Sequence, residues 1–310
     1  MRDVFWHILA VVIAVIWGTT FVSSKILLNG GMSPAEIMTI RFLIAYLCIL
    51  PISLHNLKKS GAGLKGLFCD SFKDEMLMLL LGITGGSLYF LLENSALEFT
   101  QASNVSIIVC INPLLTMFAV LAMERSAGRR HTLGWKPVFF SILALAGVVM
   151  VILNGELVLK LHPLGDMLSL GAAVMWVAYS LILLSFNGKY STEMITRKVF
   201  IYGIVTMLPV FLFSGWNVSL AALEQPRIWG NLLYLGLVAS LGCFYGWNAA
   251  LKRIGAVRAN NYLYLNPLAT ALLAIPVLHE SFTVFSALGA LLILGGMYLA
   301  QRATPSKRSM

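Results

Sequence analysis

The feature that most constrains this chain is a series of apolar runs, each about 20 residues long, separated by short polar segments. A helix needs about 20 apolar residues to cross the hydrocarbon core of a bilayer. Of the 310 residues, 59% are hydrophobic and 11% are charged, against about 45–50% and about 25% in soluble domains. A soluble fold of this size cannot bury so much apolar surface, so lipid must be its solvent.

The spacing of the runs predicts an all-α, polytopic membrane protein with about ten transmembrane helices. The first run is too long for a signal-peptide core of about 7–15 residues, which favours a first spanning helix. Turn signals such as Asn154-Gly155 punctuate the series. We expect helices at 5–28, 34–54, 76–98, 101–123, 134–153, 164–185, 195–214, 228–251, 256–279 and 282–301, with the longest loop, 55–75, at the lipid surface.

The positions of the basic residues predict the orientation. Of the 22 Lys and Arg residues, eighteen fall in segments that share one side if both termini are cytoplasmic. Only Lys160 and Arg227 fall on the other side, and Lys25 and Arg41 lie within spans. Because basic residues collect in cytoplasmic loops, the net charge of +9 indicates topology and not nucleic-acid binding. We expect a multi-pass protein of the plasma membrane, the inner membrane in a bacterium.

An internal repeat relates the two halves of the chain. A shift of 154 residues places Asn94-x-Ala96-Leu97 on Asn248-x-Ala250-Leu251, and Asn112-Pro113-Leu114 on Asn266-Pro267-Leu268. Each half contains five helices, an odd number, so the second half enters the membrane inverted. We predict repeats at 1–155 and 160–302, followed by a short basic cytoplasmic tail at 303–310. Inverted repeats are a recurring device of secondary transporters, because they allow a central site to open to either side.

Several motifs, taken in order, resemble the drug/metabolite transporter superfamily, specifically its ten-helix EamA-type exporters. They are IWGTTFVSSK at 16–25, RFLIAY at 41–46, ENSALEFTQASNVSIIVCINPLLT at 93–116, AVMWVAYS at 173–180 and WNAALKRIGAVRANNYLYLNPLATALLAIPVLHES at 247–281. The resemblance covers nearly the whole chain. It implies export or exchange of small metabolites, amino acids among them, through a central cavity walled by helices of both halves.

Charged residues inside spans are the first candidates for a transport role, because they are costly in hydrocarbon. Arg41 and Glu93 lie at similar depth, which suggests either a fixed ion pair between helices or a substrate or proton site. Lys25 either snorkels to the outer interface or binds an anionic group. Glu36 is expected to be solvated at the outer mouth. Among the acidic residues, Glu93 lies deepest inside a predicted span, so protons are the candidate coupling ion.

Aromatic residues supply candidate walls for a substrate. Trp17 and Trp176 occupy equivalent midspan positions in the two halves, away from the interfacial belt where tryptophan is usual. Phe21 shares a helix face with Trp17, and Tyr89 and Tyr179 each lie one turn from another candidate. Lipid-facing positions are the alternative for all of these. Tyr245 is the remaining aromatic candidate.

Paired asparagines complete the candidate set. Asn112 and Asn266 each precede a mid-helix proline, which frees the carbonyls of Val109 and Leu263. Each asparagine either repairs that gap or binds ligand. Asn94 and Asn248 are the candidate gating residues, with interhelical hydrogen bonding as the simpler account.

The sequence therefore predicts a secondary transporter for a small, amino-acid-like or amphipathic metabolite. The alternatives are an exporter of a nucleobase, sugar or cationic drug, a channel, or an intramembrane enzyme. Neither a phosphate-binding loop nor an H-E-x-x-H motif occurs, so we expect no enzyme activity, no cofactor and no bound metal. Expected partners are the substrate and membrane lipid, with no nucleic acid, in a monomer or homodimer.

Overall fold

The fold was taken from a computed structural model that describes residues 2–61, 64–100, 102–126, 134–153, 162–186, 188–216, 218, 225–278 and 283–304. These residues form helices and turns, and no strand occurs among them. The predicted turn at Asn154-Gly155 and most of the basic tail lie outside the described residues. The segments are α1 (Arg2–Asn29), α2 (Pro34–Ser60), α3 (Phe72–Phe99), α4 (Ala102–Val109 and Asn112–Ser126), α5 (Trp135–Leu153), α6 (Pro163–Ser185), α7 (Thr192–Ser214), α8 (Pro226–Ile254), α9 (Ala256–Asn260, Asn261–Tyr264 and Leu265–Leu278) and α10 (Val284–Ala303).

The predicted all-α polytopic membrane fold is confirmed. Seven of the described helices, α1 to α4 and α6 to α8, are long and apolar enough to cross a membrane. Helices α5 and α10 are shorter and apolar, and α9 is interrupted by a 3₁₀ turn. Large apolar side chains such as Leu212 and Phe213 are 84% and 92% exposed on the outside of the bundle. Such an apolar exterior suits lipid contact.

Helix α2 begins at the predicted residue, Pro34, but ends later than predicted. It begins with a capping box, in which Ser33 and Glu36 each accept a hydrogen bond from the other's backbone N–H. The sequence placed the end at residue 54, but the helix continues to Ser60, where Gly61 caps it with a positive φ of 70°. Glu36 was also expected to be solvated. It is instead buried, and the backbone N–H of Val218 donates to its carboxylate at 2.7 Å.

Two π-helical stretches interrupt α3 and α8. They span Ile83–Ser87 and Tyr234–Gly242. A shift of 154 residues moves the first stretch to 237–241, inside the second. Such π stretches are rare and occur frequently at functional sites.

Helices α4 and α9 are broken just before their Asn-Pro pairs. The first helical piece of α4 ends at Val109 and the second begins at Asn112. In α9, the 3₁₀ turn Asn261–Tyr264 precedes Asn266-Pro267. Each proline lacks the N–H that would bond the carbonyl four residues earlier, so the helix is interrupted there.

A polar cluster joins the start of α3 to α7 and to the turn before it. Lys198, with a side chain only 4% exposed, pairs with Glu75, to which Tyr202 also donates a hydrogen bond. Lys189 pairs with Asp74 at 2.5 Å, and this hydrogen bond raises the pKa of Lys189. All of these charges are paired, so the cluster links the two halves as a structural contact.

Helices α5 and α10 pack against each other through glycines. A Cβ added at Gly289 would lie 2.7 Å from the carbonyl oxygen of Gly147 and 2.8 Å from the amide nitrogen of Val151. Both neighbours are backbone atoms, which a rotamer change cannot move. The two helices therefore depend on glycine for their separation.

We predict that Gly289→Ala lowers the free energy of unfolding by about 1–3 kcal/mol, because it overpacks this contact. The matched control is Gly295→Ala on the same helix, where a Cβ meets nothing within 4 Å. That variant should be neutral or slightly stabilising, since alanine favours helix. Thermal unfolding in detergent, followed by size-exclusion chromatography, measures both. Equal midpoints for the two variants would contradict the prediction.

Candidate functional site

A cavity of about 410 Å³, counting the space open to solvent, lies between the two halves of the bundle. Seven helices contribute to its wall, from α1 to α4 in the first half and α6, α8 and α9 in the second. The lining residues are Trp17, Thr20, Phe21, Arg41, Tyr89, Phe90, Glu93, Val109, Asn112, Trp176, Phe244, Leu263 and Asn266. Both α5 and α10 are absent from this lining.

The cavity collects most of the candidates that the sequence singled out. Eight of the eleven predicted substrate-binding residues line it: Trp17, Phe21, Arg41, Tyr89, Glu93, Asn112, Trp176 and Asn266. They are widely separated along the chain, and the bundle brings them to one place.

Arg41 is held by two contacts from other helices. Its Nε donates to Oγ of Ser240, in the π-helical stretch of α8, at 2.8 Å. Its guanidinium carbon lies 4.2 Å from the centre of the Phe90 ring, a cation–π contact. The side chain is 1% exposed. One edge and one face of the guanidinium are thus occupied by protein, and Arg41 still borders the cavity.

Glu93 borders the same cavity and is 6% exposed. The Tyr89 hydroxyl, one turn earlier on α3, donates to its Oε1 at 2.8 Å. Arg41 and Glu93 form no ion pair within 4.0 Å; the pairs found among the described residues involve Lys189 and Lys198 only. The fixed pair that the sequence left open is therefore absent from this conformation. A cation and an anion instead share one cavity without direct contact.

Aromatic rings form the walls around these charges. The rings of Trp17 and Trp176 meet edge to face at 5.1 Å. Tyr89 lies 5.2 Å from Trp176, and Phe244 lies 5.8 Å from Trp17. The indole N–H of Trp17 donates to the carbonyl of Ala239, again in the π-helical stretch of α8. These contacts orient the rings at the cavity wall.

The helix breaks in α4 and α9 face the cavity. Val109 and Leu263, each four residues before a proline, both line it. The Cys110 thiol donates to the Leu263 carbonyl at 3.4 Å. Asn112 is buried, and neither atom of its amide finds a partner among the described residues; the amide oxygen of Asn266 also lacks one. Repair of the helix gap does not use these amide atoms, which leaves them able to bind a ligand.

Five predicted residues lie outside the cavity lining. Lys25 donates to the carbonyl of Leu97 near the end of α3, and Tyr179 is buried and donates to Asn248. Tyr245 is 46% exposed on the outside of the bundle, because its neighbour Phe244 takes the inward position. The candidate gates differ from each other. Asn248 also donates to Thr196 at 2.9 Å, whereas Asn94 is buried with both amide atoms unpartnered in the described structure.

The cavity is also lined by five residues that the sequence did not predict there: Thr20, Phe90, Val109, Phe244 and Leu263. Helical spacing from Trp17 indicates Thr20, and the two prolines indicate Val109 and Leu263. No comparable signal in the sequence distinguishes Phe90 and Phe244 from the many other apolar residues of α3 and α8.

The sequence profile of the EamA-like transporter family matches residues 4–153 and again residues 163–301. An uncharacterized transporter of Archaeoglobus fulgidus is 27% identical over 94% of this chain and 96% of its own length. A probable amino-acid metabolite efflux pump of Escherichia coli K12 is 26% identical over 94% of this chain and 93% of its own length. A solved crystal structure superposes with a TM-score of 0.74 over 98% and 97% of the two chains, at 19% identity, which establishes a shared fold.

We predict that Ser240→Ala lowers the free energy of unfolding by about 1–3 kcal/mol, because it leaves the buried Arg41 N–H without its acceptor. The control is Ser185→Ala, since Ser185 is exposed and bonds only a carbonyl of its own helix. Thermal unfolding of both purified variants is the measurement. A Ser240→Ala protein as stable as the control would show that Arg41 does not depend on this hydrogen bond.

Proposed function

We propose that this chain, which belongs to the EamA-like transporter family, is a secondary transporter that exports or exchanges an amino-acid-like metabolite. Family membership and the names of the relatives indicate a transporter and not an enzyme. Transporters of this kind move small molecules across a membrane. The substrate and the mechanism are our inference from the cavity.

The observation that carries the proposal is the separation of Arg41 from Glu93. Both charges are buried, both border one cavity, and they do not pair with each other. A buried charge without a full partner is costly, so a ligand that supplies the opposite charge gains strong interactions. A zwitterion meets both needs at once, with its carboxylate on Arg41 and its ammonium on Glu93.

The rest of the cavity suits the body of such a substrate. Trp17, Trp176, Tyr89 and Phe244 offer ring faces to an apolar or aromatic side chain. The unpartnered amide of Asn112 offers one donor group and one acceptor. The efflux pump of Escherichia coli, named for amino-acid metabolites, is consistent with this substrate class.

Alternating access between two inverted halves is the mechanism we propose. The two family matches and the π-helical stretches 154 residues apart support a repeat. Helices from both halves wall the cavity, so movement of one half against the other would open it to either side. Glu93 is the proposed proton carrier, because a proton on its carboxylate would displace the substrate's ammonium.

We predict that Arg41→Met raises the KM for counterflow of aromatic and branched amino acids about tenfold to a hundredfold. This is the effect expected from the loss of one charged hydrogen bond. Purified protein in liposomes with radiolabelled amino acids gives the KM for each. Lys25→Met is the matched control, because Lys25 lies outside the cavity and should leave KM unchanged.

Nucleosides, sugars and cationic dyes serve as competitors in the same assay. Competition by one of these without competition by amino acids would favour the alternative substrate class. Unaltered amino-acid KM in Arg41→Met would contradict the carboxylate site.

We predict that Glu93→Gln abolishes stimulation by an imposed pH gradient, because glutamine cannot carry a proton. It retains counterflow at a raised KM, because glutamine still accepts a hydrogen bond but offers the ammonium no charge. Transport into liposomes with and without the gradient separates the two activities. Glu98→Gln is the control, on the same helix but exposed. A Glu93→Gln protein that still responds to the gradient would remove Glu93 from this role.

A further inference from the structure

One buried amide connects the cavity wall to helices of both halves. Asn260 ends the first piece of α9, just before its 3₁₀ turn, and is fully buried. Its Nδ2 donates to Thr116 Oγ1 of α4 at 2.7 Å and to Ser180 Oγ of α6 at 3.2 Å. Its Oδ1 accepts from the indole N–H of Trp176 at 3.3 Å. The amide therefore ties together α4, α6 and α9.

All of these contacts lie on one side of the cavity. Thr116 follows the lining residue Asn112 by one turn, and Ser180 follows Trp176 by one turn. Asn260 lies between the lining residue Asn266 and the start of α9, nearer to the connection between α8 and α9. Basic residues mark this side, among them Arg125 at the end of α4 and Arg253 at the end of α8, so it is the predicted cytoplasmic side.

The opposite side of the cavity has no matching amide among the described residues. A shift of 154 residues from Asn260 leads to Ser106, and the partner of Trp17 is the backbone carbonyl of Ala239. The second amide on the Asn260 side, Asn248, is likewise bonded to Tyr179 and Thr196. Its counterpart Asn94 has both amide atoms unpartnered. On the Asn260 side, therefore, two buried amides bridge helices, whereas on the other side α1 and α9 are joined by Thr270, whose hydroxyl donates to the Gly18 carbonyl at 2.6 Å.

We propose that Asn260 is a positioning residue: it orients Trp176 against the cavity and holds α4, α6 and α9 closed on the predicted cytoplasmic side. This inference rests on the proposed function, because it treats Trp176 as part of the substrate wall. The Trp176 ring meets Trp17 and Tyr89 in the cavity, while its N–H points to Asn260. A ligand that contacts and moves the Trp176 ring would therefore also change the hydrogen bond from this ring to Asn260, the amide that joins the three helices.

The test measures access to the cavity without any substrate. Cys110 is buried beside the cavity, and replacement of Cys48, Cys69 and Cys243 by serine leaves it as the single thiol. A membrane-impermeant maleimide is added to either face of sealed vesicles. Asn260→Leu has similar volume without the hydrogen bonds and should raise the labelling rate about threefold to tenfold from one face and lower it from the other.

Asn261→Leu is the matched control. Asn261 is the next residue, is also buried, and donates to the Met297 carbonyl of α10, away from the cavity. It should leave both labelling rates unchanged. Equal rates for the two variants from both faces would overturn the proposal, as would a change of the same sign from both faces, which a purely structural role predicts.

A second variant covers the case in which Asn260→Leu does not fold. Thr116→Val removes one of the three hydrogen bonds of Asn260. It should raise labelling from the same face as Asn260→Leu does and lower it from the other face, in both cases by a smaller factor. In the Asn260→Leu background it should add nothing, because the bond is already lost. Amino-acid KM values from each face are a separate readout. If the unmodified protein transports no amino acid, the proposed function is contradicted. The labelling rates would still decide whether Asn260 controls access to the cavity.

Discussion

Hydrocarbon offers no hydrogen-bond partner, so every backbone amide and carbonyl of this chain must be satisfied within the protein. That constraint makes the fold all-helical and decides where a helix is allowed to break. The described interruptions lie in α3, α4, α8 and α9, all of which line the cavity. Helices α5 and α10, which do not line it, run without interruption and pack through glycines. Irregular backbone is thus concentrated where side chains, and water or ligand in the cavity, can replace the missing hydrogen bonds.

The same constraint separates two kinds of buried charge. In the cluster between α3 and α7, Lys198 has Glu75 as its partner, and the charges cancel. In the cavity, Arg41 has a serine hydroxyl and a ring face, and Glu93 has one tyrosine hydroxyl. Neither has an opposite charge within 4.0 Å, the distance of an ion pair. The first arrangement joins two helices. The second leaves interactions for a ligand to complete, and for that reason we propose the cavity and not the cluster as the functional site.

Much of the cavity could be predicted from the sequence, because the relevant signals are local. Arg41 and Glu93 stand out as charges in apolar runs, and Trp17 and Trp176 as tryptophans away from the interface. Prolines mark Val109 and Leu263 through the carbonyls they free. Tyr245 shows the limit of this reasoning. Adjacent residues of a helix point about 100° apart, so Phe244 faces the cavity and Tyr245 does not, and an apolar helix carries no polar face that would reveal its rotation.

The amino-acid sequence by itself determined that the chain is a polytopic helical membrane protein. It also marked the charged residues inside apolar runs, which are costly in hydrocarbon. Hydrophobic length and the cost of buried charge are properties of single segments, so they can be inferred from sequence alone. Only the tertiary structure decided that Arg41 and Glu93 share a cavity without pairing, that Asn248 and Asn260 are bonded while Asn94 is not, and that Lys25 binds the end of α3. Those outcomes depend on the rotation and packing of helices far apart in the chain, where a shift of a few ångströms makes or removes a hydrogen bond.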